Sequence, residues 1–424
     1  MQLTQKIRIN PSVGQEVVLR TLSERCRLMY NFALYERKEV YDKTGKSVGY
    51  RKQQDDLPVL KKKFVEYSYV HSKVLQMVLK TLDADYKSFF ALRKNGDEEA
   101  TPPSYKGKKY FVTMIYNQSG FTFGNGWVEL SHKHPSKTKL RFEIPEKFDF
   151  DKVRQVTLFE KDKEFWISVV YDVVEKEFRD NGLVQAFDLG TMKHTAVNLS
   201  GQFKVFKNNR SDKYWQPKTE ELQSRIDHCK KYSRKHRWLL KSYNWMKRKC
   251  ANQLKDSQHK FTRKVVDNTK ASTIVVGDLD VKDMARSKKG DFKKDRSQNR
   301  GVQNTGHLGR TVSFLTYKAK RVGKRTIEDD ERYTSQECCV CRHRHKMPTW
   351  NRVYICEECG NTIDRDKNSA INIMCNFLSR NGLWKAYELF VHNLRQTGLN
   401  IVSRFDSDLR YSQEAPPSKI PEEC

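Results

Sequence analysis

Cys338-x2-Cys341 and Cys356-x2-Cys359 stand fourteen residues apart, and nothing else in the chain restricts its local fold as tightly. Two such knuckles bring four thiolates around one tetrahedral zinc and leave no coordination position open, so a zinc there is scaffolding. Cys339 lies inside the first knuckle, but a single residue separates it from Cys341, which makes Cys338 the better ligand. Soon after the last cysteine comes Asp364-Arg365-Asp366-Lys367-Asn368-Ser369-Ala370. Carboxylates are hard oxygen donors that suit magnesium or manganese. A structural metal site therefore abuts a candidate catalytic one, of the kind that acts on phosphates.

Charge points the same way. The 424 residues include 81 Lys and Arg against 52 Asp and Glu, a formal net charge of +29 that calls for a polyanionic partner. The 22 Phe, 19 Tyr and 7 Trp favour a folded basic protein over a disordered one. A membrane surface is the competing polyanion, but no stretch approaches a spanning length of apolar residues, and the N-terminus lacks a signal-type apolar region. Nucleic acid is the expected partner, with a cytoplasmic, nucleoid-associated location and no membrane. Cys26, Cys229, Cys250, Cys375 and Cys424 are scattered and read as ordinary thiols of a reducing compartment.

Residues 2–10 alternate as a strand that Pro11 ends. Helical spacing then runs to about Arg93, through Leu22, Cys26 and Met29 and again through Val74, Val78, Leu82, Tyr86 and Phe89. From 105 to 175 the pattern turns to β, with strands at 121–123, 127–130, 139–142 and 165–170. A strand, a helical insert and returning strands predict a small β-barrel interrupted by helices. A second unit starts near Asn181-Gly182. Its strand 183–190 carries Asp188 near its end, a hairpin surrounds Ser200-Gly201, basic helices fill 218–268, and a strand over 272–278 ends on Asp278. A helix with Phe314, Leu315 and Tyr317 and a strand near Arg325–Asp330 precede the knuckles. The order strand, hairpin, helices, strand, helix, strand, helix is that of the ribonuclease H-like fold. Such a fold gathers acids from distant positions around two divalent cations. The fold class is multidomain α/β.

Nine short pieces in order carry a resemblance. They are Pro11-x3-Gln15; Arg27-x2-Tyr30-Asn31 with Arg37; Leu82-x3-Tyr86-x2-Phe89-Phe90; Pro103-Ser104-Tyr105-Lys106; and Phe187-Asp188-Leu189-Gly190. His259-Lys260-Phe261, Tyr317-Lys318-Ala319, Tyr333-Thr334-Ser335-Gln336 with the knuckles, and Asp364-Arg365-Asp366-x-Asn368-x-Ala370 complete the set. Together they span residues 1–375 and resemble TnpB, the family of transposon-encoded RNA-guided nucleases, with its relatives among miniature type V CRISPR effectors. The resemblance implies a wedge barrel over 1–14 and 101–180, interrupted by a helical recognition domain over 15–100. It further implies a RuvC nuclease domain over 181–337 and 361–400, split by a target-binding zinc ribbon over 338–360, and a disordered tail over 401–424.

The resemblance also assigns acids. Asp188 matches the family's first and Asp366 the third, the latter at a helix start whose dipole favours an anion. Asp364 reads as a solvated or hydrogen-bonding neighbour. At the family's second acid this chain has Gly277, and a one-residue slip to Asp278 would turn the side chain to the opposite strand face. Glu331, just after the neighbouring strand, is the preferred substitute, with Asp278 the alternative. Asp188, Glu331 and Asp366 would hold magnesium or manganese, Cys338, Cys341, Cys356 and Cys359 zinc, and the protein a noncoding guide RNA. The implied function is RNA-guided endonucleolytic cleavage of double-stranded DNA. The rival is a repressor-like DNA-binding protein, guided or not, that lacks cleavage. Guide identity, flanking motif and oligomeric state are not fixed by the sequence.

Other features have plainer readings. Between Lys207 and Lys264, 18 Lys or Arg face 5 Asp or Glu, more than surface ion pairing requires, which predicts contact with a guide–target duplex. Trp215, Trp238 and Trp245 in that stretch are expected in the core, with stacking on bases the alternative, and His259 in helix packing or against a phosphate. The basic loop over 285–310 is either a lid or a linker.

Overall fold

The computed structural model describes residues 1–145, 148, 150, 152–278, 308–348, 351–399 and 401. The loop expected at 285–310 lies outside the described residues up to 307, as does the expected tail beyond 401. The chain divides into two compact units, Met1–Val174 and Glu175–Cys424.

In the first unit, β1 (Gln2–Ile9) runs antiparallel to β7 (Glu164–Asp172), pairing Gln2 with Asp172 and Ile9 with Phe165. The sheet order is β1-β7-β6-β2, with β2 at Met114–Asn117 and β6 at Lys152–Lys161. A separate sheet joins β3 (Phe121–Gly124), β4 (Trp127–Leu130) and β5 (Leu140–Glu143). The expected barrel is therefore, among the described residues, two sheets without a closing ladder. Helix α1 (Val13–Thr44) starts after Pro11 with a capping box between Ser12 and Gln15, which satisfies two otherwise unpaired ends. It buries Leu19, Leu22, Cys26 and Met29 at helical spacing; α2 (Tyr50–Asp55), α3 (Leu57–Lys63) and α4 (Ser72–Lys94) follow. The motif residues here hold the unit together. Arg27 Nη1 and Asn31 Nδ2 donate to Lys106 O, Tyr30 OH donates to Asp85, and Arg37 bridges Gln53 and Asp83.

The second unit is built on the five-stranded sheet β10-β9-β8-β11-β12. Strands β8 (Val184–Leu189), β9 (Lys193–Asn198) and β10 (Phe203–Lys207) form antiparallel hairpins, while β11 (Thr273–Asp278) and β12 (Arg325–Asp330) lie parallel to β8. Crossovers of this kind are helical: α5 (Ser211–Asp227) and α6 (Arg234–Asn268) join β10 to β11, and α7 (Leu308–Arg321) leads into β12. Strands β13 (Val353–Ile355) and β14 (Thr362–Asp364) pair, and α8 (Arg365–Arg380) and α9 (Trp384–Gln396) follow. Side chains alternate between two apolar layers. Val184, Ala186 and Val275 pack with Ala370, Ile371 and Met374 of α8. Phe187, Leu189, Ile274 and Val276 pack with α6 and α7 through Val265, Val312 and Leu315. Among the described residues no helix is long and apolar enough to cross a membrane.

Candidate metal sites

Strand alternation fixes which acids can meet. Asp188 shares parity with Val184 and Ala186, and Gly277 with Val275, so both positions face α8, whereas Asp278 shares the opposite face with Ile274 and Val276. The β8–β11 ladder ends at Val276↔Phe187, one step before Gly277 and Asp188. Asp366 comes from the first turn of α8, where the helix dipole favours an anion. Asp364 caps that helix, its Oδ1 accepting from the backbone N–H of Asp366 (3.0 Å) and Lys367 (3.2 Å).

Glu331 follows β12, and its side chain lies over Gly277. A Cβ added to Gly277 would sit 1.9 Å from Glu331 Oε2 and 2.8 Å from its Cβ and Cδ. The carboxylate thus fills the place where a side chain at 277 would begin, on the Asp188 face. Burial, then Asp278 and Asp330, push the Glu331 carboxyl up to about 7. Burial, then Asp366 and Glu331, raise Asp188 well above the usual carboxylate range, against the lowering fields of Arg365 and Lys193. Two acids from distant positions therefore act on Asp188. Thr195, paired across the hairpin from Asp188, is fully buried, and its hydroxyl finds no hydrogen-bond partner among the described residues. Crowded carboxylates with an unpaired hydroxyl beside them fit hard divalent cations. Asp278 is exposed and on the opposite strand face from Asp188; its charge acts on Glu331, while Glu331 and Asp366 act on Asp188.

The four predicted cysteines converge: the Sγ atoms of Cys338, Cys341, Cys356 and Cys359 all lie within 4.8 Å of one another. Cys338–Cys359 and Cys341–Cys356 are 3.8 Å and 3.5 Å apart, close to the edge of about 3.8 Å that a tetrahedron with zinc–sulfur bonds of about 2.3 Å requires. This cluster could hold zinc. Cys339 is buried but outside it, and its backbone N–H donates to Asn368 Oδ1 (2.9 Å). Asn368 Nδ2 donates in turn to Glu337 O (2.8 Å), and Asn372 Nδ2 to Thr334 O (2.9 Å) and Glu337 O (2.7 Å). The helix bearing Asp366 is thereby stitched to the first knuckle.

Two sequence readings of bulky side chains fared differently. His259 stacks on Phe314 at 3.9 Å, and burial ahead of Lys318 pushes its pKa down to about 4, as helix packing implies. The tryptophans are a correction: Trp238 is 62% and Trp245 47% exposed, and Trp215 is half-buried, edge-on to Trp245. The buried side of α6 runs through Leu239, Cys250, Leu254, Gln258, Thr262 and Val265, and both Trp238 and Trp245 fall off it. That stripe was readable at 3.6-residue spacing. Lys193 was not singled out by sequence, though it stands only five residues past Asp188. Its Nζ lies 2.7 Å from Asp364 Oδ2 and 3.2 Å from Asp366 Oδ2.

The second unit is thus a mixed α/β fold with a four-cysteine cluster that could hold zinc. Three family models match in order: a helix-turn-helix domain of the OrfB type over residues 1–46, a "Probable transposase" model of the same type over 168–288, and the Cas12f1-like TNB domain over 309–373. These matches, with the relatives below, support the TnpB family. It is 24% identical over 365 residues to a TnpB-like protein of Methanocaldococcus jannaschii, covering 83% of this chain and 78% of that one. A TnpB-like protein of Acanthamoeba polyphaga mimivirus is 28% identical over 127 residues, 30% of this chain and 23% of the relative. Among solved structures, Cas12f1 in complex with its sgRNA and target DNA shares the fold, with a TM-score of 0.54 at 12% identity over 88% of this chain and 98% of that one.

Proposed function

We propose that the protein is an RNA-guided DNA endonuclease with a RuvC-type, magnesium-dependent site formed by Asp188, Glu331 and Asp366. The observation that carries this reading is the Glu331 carboxylate over Gly277, which supplies a third acid on the Asp188 face where the chain otherwise lacks one. Asp188 on β8, Glu331 after β12 and Asp366 on α8 would hold the cations. Bound there, two divalent ions supply a nucleophilic water and stabilise the leaving oxygen of a phosphodiester, giving a 5′-phosphate and a free 3′-hydroxyl. The protein's part is to hold the three carboxylates on one sheet face, with the α8 dipole supporting Asp366. The sheet order and the hairpin–helix–strand succession of the second unit support a ribonuclease H-like domain split by a zinc ribbon. The sheets and helices of the first support wedge and recognition parts.

A noncoding RNA would lie on the basic α5–α6 helices and pair with one DNA strand, leaving the protein to read a short flanking motif. The exposed Trp238 and Trp245 favour this over a purely ionic face, because indoles can stack on bases. Purified ribonucleoprotein incubated with matched duplex and magnesium tests the reading. Cleavage that disappears in Asp188→Ala, Asp366→Ala and Glu331→Gln supports it. Duplex that is shifted in a gel but stays intact with the wild-type protein establishes the non-cleaving rival.

A further inference from the structure

We propose that Lys193 is the resident counter-ion of the acid cluster, holding Asp366 in place without metal and competing with a divalent cation for it. The inference rests on the metal reading of the cluster given above. Its ammonium is 2.7 Å from Asp364 Oδ2 and 3.2 Å from Asp366 Oδ2. The other cations that approach Asp366 stand farther off, on its other oxygen: Arg352 at 3.8 Å and Arg365 at 3.9 Å. Both partners are shielded, with side-chain exposures of 26% for Lys193 and 9% for Asp366, so the pair is weakly screened by salt.

The backbone is shaped to deliver this side chain. The β8–β9 hairpin pairs Asp188 with Thr195 and Leu189 with His194, so its turn returns Lys193 to the acid-bearing end of β8. A Cβ on Gly190 would lie 2.6 Å from Lys193 O; only glycine allows the chain to double back so closely. Asp364 completes the device. One of its oxygens is committed to capping α8 and the other to Lys193, so the ammonium keeps an anchor when Asp366 is surrendered. A lysine suits the task, because a compact charge on a flexible stem can withdraw, where a planar guanidinium would clamp the carboxylate.

The test uses the full, zinc-loaded chain without nucleic acid. Mn2+ binding is measured by calorimetric titration, and melting temperature in chelator-free buffer without added divalent cations, for the wild type, Lys193→Met and Lys193→Arg. Lys193→Met should bind Mn2+ about tenfold more tightly, since removing a competing charge beside the ligand favours the incoming cation. Without added Mn2+ it should also melt at lower temperature, and it should recover with Mn2+. Lys193→Arg should keep wild-type melting without Mn2+. Lys193→Met that binds Mn2+ no more tightly than a metal-binding wild type, or melts unchanged without Mn2+, overturns the inference while leaving the metal reading intact. A wild type that binds no more Mn2+ than Asp188→Ala overturns both.

Discussion

Gly277→Ala tests the site through one methyl group. The added Cβ would lie 1.9 Å from Glu331 Oε2. To regain a contact of about 3.3 Å the carboxylate must retreat by roughly 1.4 Å, and the 2.8 Å approach to Glu331 Cβ means the whole side chain has to turn. A displacement of this size at a reacting centre costs about a hundredfold in rate, or about 2.7 kcal/mol of barrier. Stability should change much less, because crowding of about 1–3 kcal/mol is partly offset by reduced unfolded-chain entropy and by release of a buried acid. The assay is single-turnover cleavage of a matched duplex at saturating magnesium, with melting temperature measured in parallel. The swap Gly277→Glu with Glu331→Ala, which moves the acid back onto β11, should cut faster than either single variant, a coupling that a double-mutant cycle reads directly. Gly277→Ala cleaving within threefold of wild type would refute the view that the Glu331 carboxylate works from the space above Gly277.

Glu331 should also leave a mark on the pH dependence of stability. Its carboxyl is raised to about 7 in the fold, so the stability linked to its neutral form is complete below about pH 4.5 and is lost as pH rises through about 7. In metal-free protein, Glu331→Gln should therefore be more stable than wild type above pH 7 by up to about 3 kcal/mol, with no advantage below about pH 4.5; calorimetric melts across that range are the check. Metal analysis should find one zinc per chain, retained by Cys339→Ala and lost by Cys341→Ala, with the latter melting early; zinc retained by Cys341→Ala would exclude it as a ligand. Trp238→Ala should weaken guide RNA binding by about 1–3 kcal/mol per stacked base without lowering the melting temperature, since the indole is already in solvent. Unchanged RNA affinity would remove stacking from the role of α6.

The legible parts of the sequence were those governed by local rules. Cysteine spacing found the four-thiol cluster and separated Cys338 from Cys339, because a knuckle's geometry is set within four residues. Strand parity disfavoured Asp278 for the same reason: side chains alternate whatever the tertiary context. Glu331 was reachable from the sequence only through the absence of an acid at Gly277 and the family's order of elements. The closeness of the two residues was not, since it depends on how β11 and β12 pair. Lys193 escaped notice because its meaning comes from Asp364 and Asp366, more than 170 residues away in sequence. The tryptophans were misplaced by residue type, which weighs hydrophobicity, when the phase of the α6 stripe already put them outside. For the barrel, the described residues pair as two sheets, and a sequence pattern shows which residues alternate but not whether the last strand meets the first.

The stitching of α8 to the first knuckle gives the zinc a place in time as well as in space. Asp366 lies two residues beyond β14, on a helix whose Asn368 and Asn372 hold the backbone of residues 334–339. A newly made chain can pair β8 with β9 before the knuckles have even been synthesised, whereas the seat of its last carboxylate is tied to the first knuckle by these hydrogen bonds. Zinc supply would then act as a maturation checkpoint. A chain starved of zinc would retain its basic helices while its acid cluster stayed one member short.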